Sequence, residues 1–216
     1  PDKLCSPVSV SWNVSYTGVN DDGYPVRIFT PGSEVDFAGH PTLGTAYIIH
    51  KYINEGPAEA IKLNLKAGQI PVTFQGDLLW MKQNQPQFGK KLDLQMIAQL
   101  LGLHSDDFTA GFPIEEVSTG LPFVIVPLKS HDALSRARIN FERFPEFIKD
   151  AWAKGILVFC PEGHETRQDL SSRVFVDYYG IPEDPATGSA TGCLAAWLIK
   201  YGMFGTGGIE MTIGQG

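Results

Sequence analysis

The chain has 216 residues, 43% hydrophobic and 19% charged, which supports a packed core in one large or two small domains and excludes a disordered profile. Its net charge is −7, its pI is 5.2, and Lys and Arg form no run, so nucleic acid and anionic membrane surfaces are poor partners. No stretch of about 20 apolar residues occurs, so no membrane span is expected.

Alternation over 8–16, rich in Val, Ser, Trp and Tyr, predicts a strand. Asn20-Asp21-Asp22-Gly23 is a turn signal, and 24–30 is the strand expected to pair back as a hairpin. A glycine turn follows, then a helix over 41–52. Pro41 is tolerated in a first helical turn because its missing N–H would be unpaired there. Short strands are expected over 61–65, 70–75 and 78–83, punctuated by Gly68 and Gly76-Asp77. The segment 92–103 reads as a helix capped by Asp93, with Leu94, Ile97, Leu100 and Leu101 on one face. Beyond it, strands are expected over 115–118, 122–128, 156–160, 173–178 and 209–213. Helices are expected over 143–154 and 189–201, the second ended by Gly202. Strands dominate and helices interrupt, which predicts an α+β arrangement of two halves, 1–107 and 108–216.

Two turns match across these halves. Phe37-Ala38-Gly39-His40-Pro41-Thr42 and Ala186-Thr187-Gly188-Ser189-Ala190-Thr191 each set glycine beside a polar residue and open into an apolar run of helical length. Aligning Gly39 with Gly188 pairs His40 with Ser189 and Thr42 with Thr191. Upstream, Arg27-Ile28-Phe29 matches Arg173-Val174-Phe175 with a three-residue difference in spacing, as a loop insertion would produce. This is a strand, turn and helix unit occurring twice. Glycine lets backbone N–H groups approach a ligand, and a helix N-terminus adds unpaired donors and a positive dipole end. Two such turns facing each other would grip an anionic group.

Cys5, Cys160 and Cys193 are odd in number and form no Cys-x-x-Cys, so neither a disulfide framework nor a zinc site is expected. His50, His104, His131 and His164 lack metal-ligand spacing and read as surface or loop residues. His40 stands apart, because imidazole at a glycine turn suits proton transfer. No leader pattern opens the chain, and a reducing cytoplasm is the expected compartment. Both ends, Pro1-Asp2-Lys3 and the loop-like Gly214-Gln215-Gly216, look cut rather than finished.

Phe29-Thr30-Pro31, the stretch from Phe37 to Gly44, and Glu183-Asp184-Pro185-Ala186-Thr187-Gly188-Ser189-Ala190 resemble the PhzF phenazine-biosynthesis family. Gly120-Leu121-Pro122-Phe123 and Leu79-Trp80-Met81 fit it as well, and the resemblance covers about 24–211. It implies the diaminopimelate-epimerase type of fold: two β-rich, barrel-like halves, each around a central helix, with the site between them. It further implies an isomerase that moves protons on a small carboxylate substrate without metal or organic cofactor, often as a homodimer. By the same resemblance His40, Asp184 and Ser189 are catalytic, while Gly39 and Gly188 join His40 and Ser189 in binding substrate. Ala38 and Thr187 stand where related thiol-dependent epimerases carry cysteines, which argues against a racemase of that kind.

The family's proton-abstracting glutamate, about thirty residues before the histidine, has no counterpart in 1–33, where the acids are Asp2, Asp21 and Asp22. The family's opening strand and helix, and its last strand, are missing too. A fragment of a longer chain is the expected explanation, ahead of a relative that lost the base and kept an anion cradle. A serine hydrolase is disfavoured because Thr187 stands where a Gly-x-Ser-x-Gly elbow needs glycine. Cys193, one turn inside its helix, reads as core, and Glu183 as structural or surface.

Overall fold

The computed structural model describes residues 13–16, 18, 22–30, 33–54, 56, 58–76 and 78–216. Residues 8–12 of the strand expected over 8–16, the turn positions Asn20, Asp21 and Asp77, Pro31 and Cys5 lie outside the described residues. Within them, thirteen strands form two sheets. The first contains β1 (Asn13–Tyr16), β2 (Tyr24–Phe29), β3 (Glu34–Val35), β4 (Ala60–Leu65), β5 (Gly68–Gln75) and β6 (Leu78–Met81). The second contains β7 (Gln87–Lys91), β8 (Glu115–Ser118), β9 (Pro122–Pro127), β10 (Gly155–Cys160), β11 (Leu170–Val176), β12 (Ile181–Asp184) and β13 (Ile213–Gln215). The sheets divide between Met81 and Gln87, so β7 belongs to the second sheet, and the helix after it packs on that sheet. Closing a barrel requires the end strands to pair. Among the described residues neither strand order closes on itself, so the expected barrel-like halves are open sheets.

The repeat extends well beyond the turns. β1 pairs antiparallel with β2, as β10 does with β11. β3 returns antiparallel to β2, as β12 does to β11. After the helix, β4 runs parallel to β2 with Tyr24 opposite Leu63, and β13 runs parallel to β11 with Leu170 opposite Ile213. The units are therefore β1-β2-β3-α1-β4 and β10-β11-β12-α5-β13, where α1 is Gly39–Ile48 and α5 is Gly188–Tyr201. α1 runs on into a wider π-helical turn over Ile49–Ile53.

Each unit carries the same ion pair. Arg27 donates to both carboxylate oxygens of Glu34 at 2.9 and 2.8 Å, and Arg173 to both of Glu183 at 2.8 Å. Both guanidiniums also lie over the phenylalanine two residues on, Phe29 or Phe175, 4.9 Å from the ring centroid. The pair latches each short return strand, and it explains why β3 and β12 form from sequences with no apolar run.

Three helices sit on the outer face of the second sheet. α2 (Leu94–Leu101) is capped by Asp93, which accepts from Met96 N–H at 2.9 Å, and Gly102 ends it at φ +64°. α3 (His131–Arg136) is capped by Ser130, and α4 (Phe144–Asp150) follows. β9 and β10 are apolar on both faces because both faces are covered. Val124, Val126, Ile156 and Val158 face these helices, while Phe123, Ile125, Leu157 and Phe159 join a core shared by α1, α5 and both sheets. Trp197 of α5 is wholly buried there, edge-on to Phe159 and donating to Pro113 O at 3.2 Å. Two buried carboxylates are fully engaged: Glu115 with Lys200 and Tyr201, and Glu116 with the N–H groups of Lys90, Trp152 and Ala153. α3, β3, β7 and β12 were not expected from the sequence. The last strand falls at Ile213–Gln215 rather than over 209–213.

The duplicated ion pair gives an internal control. Arg173 is 17% exposed and also holds the carbonyls of Leu134 and Ala137 at 2.9 Å, whereas Arg27 is 58% exposed. Arg173→Met should lower unfolding stability by about 2–4 kcal/mol, through orphaned carbonyls and an unpaired Glu183. Arg27→Met should leave the urea midpoint nearly unchanged.

Candidate active site

The two glycine turns meet head to head. A methyl group built on Gly39 would lie 3.3 Å from Gly188 Cα and 3.4 Å from Ser189 N. The N-termini of α1 and α5 therefore touch through glycine, with no side chain between them. Neither helix has a side-chain cap, and neither has an acidic residue in its first turn. Asp93 and Ser130 cap α2 and α3, and α4, which has no side-chain cap, carries Glu146 in its first turn; among the described α-helices only α1 and α5 have neither device. Their backbone donors and positive dipole ends converge on one point. Thr42 and Thr191 repeat one bond, each hydroxyl donating back to the carbonyl four residues earlier, on Ala38 and Thr187.

Behind the junction, Phe37 is fully buried, and Gly120 at φ +144° packs against its ring, where a methyl group would come within 2.9 Å. This explains the glycine of Gly120-Leu121-Pro122-Phe123.

Asp184 closes β12 and is 7% exposed. Its Oδ2 accepts from Thr187 Oγ1 at 2.5 Å. Asp184, Thr187 and Ser189 line a small cavity of about 20 Å³ with Val35, Leu121 and Tyr179, room for roughly one water molecule. Burial pushes the Tyr179 phenol up to about 12, so it stays neutral at physiological pH.

His40 is exposed and opens elsewhere, on an apolar groove of about 620 Å³ along α1 with Val14, Gly44, Tyr47 and Ile48. The structure thus brings Gly39, Gly188 and Ser189 together, and joins Ser189 to Asp184. It does not place His40 in the cavity of those two.

Cys193 is buried, donates to Leu121 O at 3.5 Å, and is pushed up to about 11 by burial, as suits a core thiol. Glu183 is the partner of Arg173, a structural role. Not every other histidine is a bland surface residue, since His50 stacks on Phe74 at 4.1 Å and His131 on His164 at 5.0 Å. Sequence reasoning missed Gln215, which ties the second turn: its Oε1 accepts from Thr187 N–H, and its Nε2 donates to Asp184 O and Thr187 Oγ1. The Gly-Gln-Gly context reads as loop, and only the register of β13 brings it here. Among the described residues no group of three His, Cys, Asp or Glu could hold a metal ion, and no helix is long and apolar enough to cross a membrane.

A family model described as "Phenazine biosynthesis-like protein" (PhzC-PhzF) matches residues 15–216. An uncharacterized isomerase of Bacillus subtilis, YfhB, is 33% identical over 183 residues, covering 82% of this chain and 62% of the relative. A trans-2,3-dihydro-3-hydroxyanthranilate isomerase of Pseudomonas fluorescens is 34% identical over 185 residues, covering 82% of this chain and 60% of the relative. The crystal structure of a phenazine biosynthesis protein of the PhzF family from Bacillus anthracis superimposes with a TM-score of 0.72 at 30% identity, covering 86% of this chain and 64% of that one. The chain thus spans about three-fifths of the length of these relatives.

The glycine junction is testable by single methyl groups. Gly39→Ala must push Gly188 or Ser189 backbone aside, and should cost about 1–3 kcal/mol in urea denaturation. Gly188→Ala meets Gly39 Cα at an ordinary 3.8 Å and should be tolerated.

Proposed function

The chain belongs to the PhzC-PhzF, phenazine biosynthesis-like family, and on that premise we propose that it is built as an isomerase that moves a proton on a small carboxylate-bearing substrate. The observation that carries the reading is the contact of two uncapped helix N-termini at Gly39 and Gly188. Two positive dipole ends facing each other repel, and an anion between their N–H groups relieves that repulsion. The substrate carboxylate docks beside that contact, anchored by the backbone N–H groups of both turns, at Gly39 and Gly188, and by the Ser189 hydroxyl. A C–H proton leaves one carbon, the electrons pass into the conjugated system, and a proton returns at another carbon. His40 and Asp184 are the side chains at the junction that can carry protons, and the reaction needs no metal or organic cofactor. The substrate class comes from the Pseudomonas fluorescens relative, whose name specifies trans-2,3-dihydro-3-hydroxyanthranilate.

A second reading has its own observation. His40 opens on the groove along α1 and does not line the cavity of Asp184 and Ser189. On this reading the junction binds small carboxylates and turns nothing over.

Incubation with trans-2,3-dihydro-3-hydroxyanthranilate in D₂O separates the two. The isomerase incorporates solvent deuterium at a substrate carbon, read by mass spectrometry, and His40→Ala lowers that exchange about 100-fold or more. The binding module shows a carboxylate-dependent rise in melting temperature with no exchange. Neither exchange nor a rise removes the site assignment.

A further inference from the structure

The hydrogen bonds around the second glycine turn run in one consistent direction. A backbone N–H can only donate, and that of Thr187 reaches Gln215 Oε1 at 3.0 Å. The amide is thereby oriented, with its NH₂ facing the other two partners. Nε2 donates to the Asp184 main-chain carbonyl at 2.6 Å and to Thr187 Oγ1 at 2.9 Å. The Thr187 hydroxyl has one hydrogen, and with Nε2 donating to its oxygen that hydrogen points to Asp184 Oδ2, 2.5 Å away. Oδ2 is therefore an acceptor, and a proton carried by Asp184 sits on Oδ1.

We propose that Gln215 is a positioning residue which, through Thr187, holds Asp184 Oδ2 as an acceptor and reserves Oδ1 as the oxygen that exchanges a proton with substrate. This rests on the reading of Asp184 as a proton carrier under the proposed function. When the Oδ1–H bond breaks and the proton passes to a substrate carbon, the new carboxylate is met by a hydroxyl already aimed at it. The repeat supplies an independent argument. In the first half the positions of Asp184, Thr187 and Gln215 are held by Val35, Ala38 and Leu65, all buried and apolar. The three polar residues are present together in one half and absent together from the other, as a unit with one task would be. Among the described residues that line the cavity, no other charged group competes for Asp184. Glu183 is turned to Arg173, and the titratable neighbour in the cavity, Tyr179, is neutral. The remaining walls, including Val35, Leu121 and Phe123, are uncharged.

The test compares Gln215→Met, Gln215→Glu, Thr187→Val and Thr187→Ser for deuterium exchange into trans-2,3-dihydro-3-hydroxyanthranilate, with melting temperature and the backbone amide NMR spectrum as controls on folding. Thr187→Ser keeps the hydroxyl and should exchange within about threefold of wild type. Thr187→Val and Gln215→Met should lower kcat about 10- to 100-fold, as loss of a hydrogen bond to a charged group does, with KM little changed. Gln215→Glu should fall equally at pH 8 and recover toward pH 4–5, where a carboxyl protonates and can donate again. A purely structural role would lower melting temperature in all the failing variants without splitting kcat from KM and without recovery in acid. Wild-type rates in folded Thr187→Val and Gln215→Met would overturn the positioning role and leave the isomerase intact. Absence of exchange in the wild type would remove the isomerase reading, and the positioning role with it.

Discussion

Two helix N-termini that touch through nothing but glycine are the constraint on which the rest of this structure depends. The arrangement is electrostatically unfavourable by itself, since like dipole ends face each other across a van der Waals contact. It persists because each helix is anchored from behind. α5 is anchored by the burial of Trp197 and Leu198, and α1 by Ala46 and Ile49 in the same core. Each turn is reached through a short return strand latched by an Arg–Glu pair. The sheets, the latches and the shared core hold two repelling ends at contact distance.

The halves are copies in topology and in register, and they differ where chemistry would need them to. His40 stands opposite Ser189, Val35 opposite Asp184, Leu65 opposite Gln215. The ionisable groups are thus divided between the copies, and a site at their junction draws unlike groups from like scaffolds. Burial is divided too. Ile48 is 48% exposed where its counterpart Trp197 is wholly buried, because β8 and β9 cover α5 while, among the described residues, β1 is the end strand of its sheet.

Much of this was legible in the sequence because it is written in local pattern. The alternation of β4, the apolar runs of β9 and β10, the Asp93 cap of α2 and the Gly202 stop of α5 are one-dimensional signals, as was the doubled glycine turn. The elements missed are those whose reasons lie elsewhere in the chain. β3 and β12 are set by ion pairs to the preceding strand. β7, Gln87-Phe88-Gly89-Lys90-Lys91, carries little apolar content and forms because Gly89 lets Glu116 and Trp152 pack against its backbone. Glu115 and Glu116 looked like ordinary strand residues, yet each is buried with its partners supplied from distant segments. Gln215 was invisible for the same reason, since its partners lie 28 and 31 residues back and are reached only through strand pairing.

That separation has a consequence for how the molecule is made. During synthesis α5 emerges well before β13, so a nascent chain holds the second turn for a time with its helix formed and its latch still inside the ribosome. The local part of the site is ready first, and the part that orients it arrives only when β13 pairs with β11. Conditions that hold the ribosome between these segments would therefore display a bare helix end to the cell before the residue that disciplines it exists.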